Sequence, residues 1–188
     1  TYQSAWLKAH HTASFLAGVL THDPGMYPKR LILDDARQFG VTVLPLDVNA
    51  SHSGFRVERV ERDEAGGATP SRLVPPADDG VSRVRGVRDH PVLPDARGYG
   101  IRIALAEVKG ISDAEVDSIV AGQPYGSLSD AWHRSGMSRP TAERIVVAGG
   151  FDAMYSLDIA PRMRHRGSMT RRDLLLQVAD LDRYARGT

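Results

Sequence analysis

The apolar residues Tyr2, Ala5, Trp6, Ala9, Ala13, Leu16 and Leu20 recur three and four positions apart, the spacing of one helix face. Residues 1 to about 21 are therefore expected to form one amphipathic helix. Asp23-Pro24-Gly25 breaks that pattern as a turn signal, Pro28 suits a first helical residue, and the helix Pro28–Phe39 stops at Gly40. The period then shortens. Val41–Leu44 is a brief apolar run closed by Pro45, and Phe55–Val60 reads as a second strand. Between 61 and 98 the pattern fails, apart from a candidate strand at Val81–Val87. With 5 Gly, 5 Pro and 13 charged residues in 38, this stretch has the composition of a long loop or insertion, and it splits the chain into two halves.

Helical spacing returns after it. Ile101–Leu105 is strand-like, and Ser112 with Glu115 three positions on makes a capping box that opens the helix Ser112–Ala121. Ser127 with Asp130 marks a second N-terminus. Ser138 marks a third, for a helix through Ala148 that Gly149-Gly150 terminates. Thr170 with Asp173 precedes the apolar positions Leu174, Leu175 and Val178 of a last helix. The expected fold class is mainly α with a small β element.

Within 101–150 the chain repeats itself at an offset of 26. Gly110-Ile111-Ser112 aligns with Gly136-Met137-Ser138, and Ile119-Val120 aligns with Ile145-Val146. Each copy places a glycine at a tight turn, a serine to cap the next helix, and an apolar pair to face its partner. That is the pattern of a helix-hairpin-helix unit, here in tandem. Hairpin amides and a following helix N-terminus can hold a DNA phosphate oxygen, a contact that reads backbone and not sequence. The candidate phosphate-facing residues are Lys109, Gly110, Ile111 and Ser112 in the first hairpin, with Arg139 and Arg144 beside the second. The commoner form of the motif has glycine where Ser112 and Ser138 stand. Asp113, Glu115 and Asp117 crowd the first helix N-terminus and oppose an anion. A module that only packs is the competing reading.

Charge supports a local grip over a broad basic field. The chain of 188 residues carries 24 Lys and Arg against 23 Asp and Glu, a net +1. Residues 101–155 have 5 basic and 7 acidic residues, whereas 156–188 have 7 basic and 4 acidic. Arginine supplies 21 of the basic residues; the lysines are Lys8, Lys29 and Lys109. The run Pro161–Arg172 holds five arginines and no acid, which suits either a phosphate-trailing segment or a solvated connector.

Several chemistries are absent from the pattern. Zero cysteines exclude disulfides, thiolate metal sites and a cysteine nucleophile, and they fit a reducing, cytoplasmic setting. No apolar run reaches membrane-spanning length, and no phosphate-cradling glycine loop or nucleophile elbow occurs. His10 and His11 are adjacent and diverge on a helix, so no metal site is expected there. Asp34-Asp35, Asp78-Asp79 and the pair Asp180 and Asp182 lack the rigid strand platform that two-metal phosphoryl transfer requires. No catalytic residue is assigned. The chain opens with Thr-Tyr-Gln inside a helical pattern, as a piece of something larger would.

The stretch YQSAWLKAHHTASFLAGVLTHD resembles the fingers-region helix of bacterial DNA polymerase III alpha subunits, the C-family DNA polymerases. DDARQFGVTVLPLDVNAS resembles the continuation in that family, GIRIALAEVKGIS its strand and first hairpin, and VVAGGFDAM the exit of the following helices. The likeness covers roughly 1–60 and 100–155 in order. Gly25-Met26-Tyr27 and Asp47-Val48-Asn49-Ala50-Ser51 look more like the error-prone paralogue than the main replicase. The resemblance implies distal fingers helices and short strands at 1–60, a helix-hairpin-helix duplex-binding region at 99–155, and a basic connector with a C-terminal helix at 156–188. It implies a non-catalytic part of a DNA-directed DNA polymerase. The palm carboxylates would lie elsewhere in the parent chain, whose expected cofactor is Mg, with none in this piece. Implied partners are duplex DNA, the rest of the polymerase chain and the sliding clamp. Gln177-Val178-Ala179-Asp180-Leu181 superficially resembles a clamp-binding peptide, but its helical spacing favours packing.

Overall fold

A computed structural model describes residues 2–22, 25, 27–62, 68–70, 96–157 and 169–187. The candidate strand Val81–Val87 and most of the arginine run lie outside these residues. The chain forms two compact units, one from Thr1–Leu44 with Arg56–Ile101 and one from Pro45–Phe55 with Arg102–Thr188. The cuts fall within the first segment drawn from the sequence as well as near the end of the long excursion.

The first unit begins with α1 (Tyr2–His10) and α2 (Thr12–His22) in place of one unbroken helix. Hydrogen bonds run on through the joint, from His11 N–H to Leu7 O and from Phe15 N–H to His11 O, both at 2.8 Å. The interruption coincides with Thr12, whose hydroxyl donates back to Lys8 O at 2.7 Å, a bond that bends helices. Leu16 and Leu20 are buried, whereas Tyr2, Trp6 and Leu7 on α1 are exposed. Helix α3 (Lys29–Gln38) takes Pro28 as its cap, one position outside the helix proper. Strands β1 (Thr42–Leu44), β2 (Arg56–Arg62), β3 (Ala68–Pro70) and β4 (Tyr99–Arg102) form a sheet in the order β1-β4-β2-β3. The β2–β3 pair is antiparallel, with Val60 opposite Pro70.

The second unit is helical: a 3-10 turn (Leu105–Glu107), then α4 (Asp113–Gly122), α5 (Leu128–Ser135), α6 (Arg139–Ala148), α7 (Asp152–Tyr155) and α8 (Arg171–Gly187). The fold is mainly α with a small β element. Its core joins Val48, Leu105, Val116, Ile119, Leu128, Ile145, Val146, Phe151, Leu174 and Val178, all but sealed from solvent. Burying each such side chain contributes about 1.5–3 kcal/mol. Thr170 opens α8 as foreseen: its N–H donates to Asp173 Oδ2 at 2.9 Å, and Asp173 N–H donates to Thr170 Oγ1 at 3.3 Å. Leu174 and Val178, four apart, then face inward together.

Candidate nucleic-acid interface

The two copies of the repeat fold alike. The first hairpin runs from the 3-10 turn through Lys109 and Gly110 to Ser112; the second runs from α5 through Gly136 to Ser138. Both glycines are left-handed, with φ of +74° at Gly110 and +62° at Gly136, a conformation that disfavours any side chain. A Cβ at Gly110 would also fall 2.5 Å from Arg144 Nη1. The apolar middle residues turn inward: Met137 is buried and Ile111 packs against the same core. Ile119 and Ile145, paired by the repeat, are both fully buried.

The serines differ. Ser112 caps α4 in a complete capping box, with Glu115 N–H donating to Ser112 Oγ at 3.3 Å. Ser138 makes no side-chain cap to its own helix. Its N–H and Oγ instead donate to Glu115 Oε1 at 3.1 and 2.8 Å, while Ser112 N–H and Oγ donate to Glu115 Oε2 at 3.2 and 3.0 Å. One carboxylate thus engages the cap amides of both hairpins. Partial desolvation pushes the Glu115 pKa up, but the hydrogen bonds from Ser138, then Ser112 and Thr141, prevail and hold it at about 2.

The candidate cations fall into two groups. Lys109 is exposed and meets no acidic partner among the described residues. Arg144, also exposed and without an acidic partner there, reaches back from α6 to donate to Gly110 O at 3.2 Å. These two flank the first hairpin glycine. Arg139 is held by Glu143 at 2.7 Å and Asp182 at 3.3 Å, and these hydrogen bonds raise its pKa. Ser112 and Arg139 are accordingly engaged within the protein, while Lys109, Gly110 and Arg144 share an exposed edge.

Several residues that place the hairpins escaped the sequence reading. The stretch Asp47–Ser51 forms its own turn, with Asn49 N–H donating to Asp47 Oδ1 at 2.8 Å and Ser51 N–H to Asp47 O at 2.8 Å. It then docks on the hairpin helices. Asn49 Nδ2 donates to Tyr125 O at 2.9 Å and Asn49 Oδ1 accepts from Tyr125 N–H at 2.7 Å, while Gln123 Nε2 reaches Val48 O and Ser51 O at 2.8 and 2.9 Å. No local pattern marks its partner, 76 residues away. Arg171 likewise forks onto Asp152 with Nε and Nη2 and donates to Val147 O from Nη1 at 3.1 Å, tying the start of α8 to α6 and α7. Gln177 to Leu181 lie mid-helix on α8, with Val178 buried.

Of the carboxylates weighed for metal chemistry, Asp78 and Asp79 lie outside the described residues and the others are ion-paired: Asp34 with Arg37, Asp35 with Lys8, Asp180 with Arg183, and Asp182 with Arg139 and Arg186. No group of three or more His, Asp or Glu that could hold a metal occurs among the described residues. His10 stacks on Trp6 with centroids 4.4 Å apart, and His11 tilts against the same ring. No helix among the described residues is long and apolar enough to cross a membrane.

Residues 40–158 match a family model described as a helix-hairpin-helix motif. The chain is similar to the error-prone DNA polymerase of Sinorhizobium medicae, 32% identical over 156 residues that make up 81% of this chain and 12% of that protein. It is also similar to the error-prone DNA polymerase of Symbiobacterium thermophilum, 31% identical over 163 residues, 82% of this chain and 13% of the relative. Against error-prone DNA polymerase 1 of Rhizobium meliloti the identity is 32% over 153 residues, 80% and 12% respectively. The chain spans about an eighth of the length of these curated relatives.

Proposed function

The chain belongs to the helix-hairpin-helix family in the form carried by C-family DNA polymerases, and from that premise we propose that it is a non-catalytic part of an error-prone, translesion DNA polymerase that grips the backbone of template-primer duplex. Nucleotidyl transfer, with its Mg ions, then belongs to other parts of the parent enzyme, working in the cytoplasm. The observation that carries this reading is the exposed edge at the first hairpin, where Lys109 and Arg144 flank Gly110 with no carboxylate bound to either among the described residues. Two cations at one hairpin suit phosphate contact that is independent of sequence.

Fluorescence anisotropy of a labelled primer-template duplex with the 188-residue chain tests the grip. Affinity should fall linearly on a log-log plot against salt, and Lys109→Glu should lower it and flatten the slope by at least about one ion. Absent binding, or binding indifferent to salt and to Lys109, refutes the reading. A second reading, a module that only packs against the rest of the polymerase, is favoured by the engagement of the Ser112 and Ser138 amides with Glu115. On that reading Lys109→Glu changes nothing.

A further inference from the structure

A capping box requires one serine and one glutamate, and Ser112 with Glu115 supplies it in full. The same carboxylate does more than the box needs. Its Oε1 takes the N–H and hydroxyl of Ser138, 23 residues on, at the mouth of the other hairpin. The seam between the hairpins is joined at two further places. Ser118 Oγ donates to Ser135 O at 2.6 Å, and Arg144 returns from α6 to the Gly110 carbonyl. The first hairpin therefore holds the start of α6 through Glu115, while α6 holds the first hairpin through Arg144.

We infer that Glu115 is a positioning residue that fixes the spacing of the two hairpins and thereby sets Arg144 beside Lys109 at Gly110. The duplex contact rests on the proposed function; the brace itself does not. Without Glu115, the Ser138 amide loses its acceptor and α6 loses a tie that orients Arg144. Two charge-assisted bonds to Ser138 depend on this one side chain.

The sign of the effect on DNA binding separates this role from simple electrostatics. Removing a carboxylate from a phosphate-facing surface should tighten binding. A lost brace should weaken it. Glu115→Gln is compared with Asp113→Asn, which removes the same charge two residues away, at a position with no bond to either hairpin. Glu115→Gln should weaken duplex binding about 3- to 10-fold, the equivalent of one hydrogen bond's worth of positioning, whereas Asp113→Asn should leave it unchanged or tighter. Ser138→Ala, which removes one of the four bonds and no charge, should weaken it in the same direction.

Hydrogen exchange on the same proteins supplies the readout that needs no DNA. In Glu115→Gln the Ser138 amide should exchange at least about tenfold faster, while the Ile145 amide in the middle of α6 keeps its protection. Duplex binding by Glu115→Gln as tight as that of Asp113→Asn, or an unchanged Ser138 amide, overturns the positioning role. If the unsubstituted chain binds no duplex, the grip fails, and Ser138 exchange alone still decides whether the brace exists.

Discussion

Replacing Asn49 with alanine removes a two-way amide pairing and leaves both of its backbone partners stranded. The Asn49 side chain donates to Tyr125 O at 2.9 Å and accepts from Tyr125 N–H at 2.7 Å, and Tyr125 is only 4% exposed, so water reaches neither group freely. Two lost bonds at about 1 kcal/mol each, plus incomplete resolvation of the Tyr125 amide and carbonyl, give about 2–4 kcal/mol. The melting temperature should fall by roughly 5–15 °C, and the urea midpoint should drop with the slope preserved. Asn49→Asp sharpens the test: it keeps an acceptor for the Tyr125 N–H but turns a carboxylate oxygen toward the Tyr125 carbonyl. It should therefore lose at least as much stability as alanine. A loss below about 1 kcal/mol for Asn49→Ala would show that the turn Asp47–Ser51 is not anchored through this pairing.

Leu174→Ala opens a void where α8 meets the core and should cost about 2–5 kcal/mol in chemical denaturation, because this leucine is fully buried. Arg171→Lys should fail to restore what Arg171→Ala loses, about 1 kcal/mol at this half-exposed site, since an ammonium cannot span Asp152 and the Val147 carbonyl together; thermal melts of the two variants should nearly coincide. Glu115 sets a pH dependence with a definite sign. Its folded pKa of about 2 lies below the ordinary 4.5, so its stabilisation is complete above about pH 4.5 and fades as the pH falls toward 2. After allowance for solvent screening of this half-exposed group, the stability gap between the unsubstituted chain and Glu115→Gln should be about 1–2 kcal/mol at pH 7 and shrink below pH 4.5, as urea titrations at successive pH values would record.

Much of the hairpin region was legible from residue order because its determinants are local. A glycine that must adopt positive φ, a serine followed by glutamate, and apolar residues three and four apart each act within one or two helical turns. The offset of 26 therefore located both left-handed glycines and the helices after them. The break between α1 and α2 is hidden from the sequence for a related reason: apolar spacing continues through residues 9–13, and the hydroxyl of Thr12 acting on the turn before it leaves no mark on that spacing.

What the sequence by itself determined was the class of the fold, the tandem repeat and the family. What only the tertiary structure decided was which polar groups meet across the chain. Glu115 reads as a capping residue and an anion out of place beside a phosphate site, yet folding brings Ser138 to its other oxygen. Arg139 and Arg144 are equivalent on paper, but packing of α8 against α6 puts Asp182 within reach of the first, while the second crosses to Gly110. Charge pairing depends on distances of a few ångströms between residues tens of positions apart. No periodicity encodes them; they are fixed when the buried faces of α4, α5, α6 and α8 close on one another.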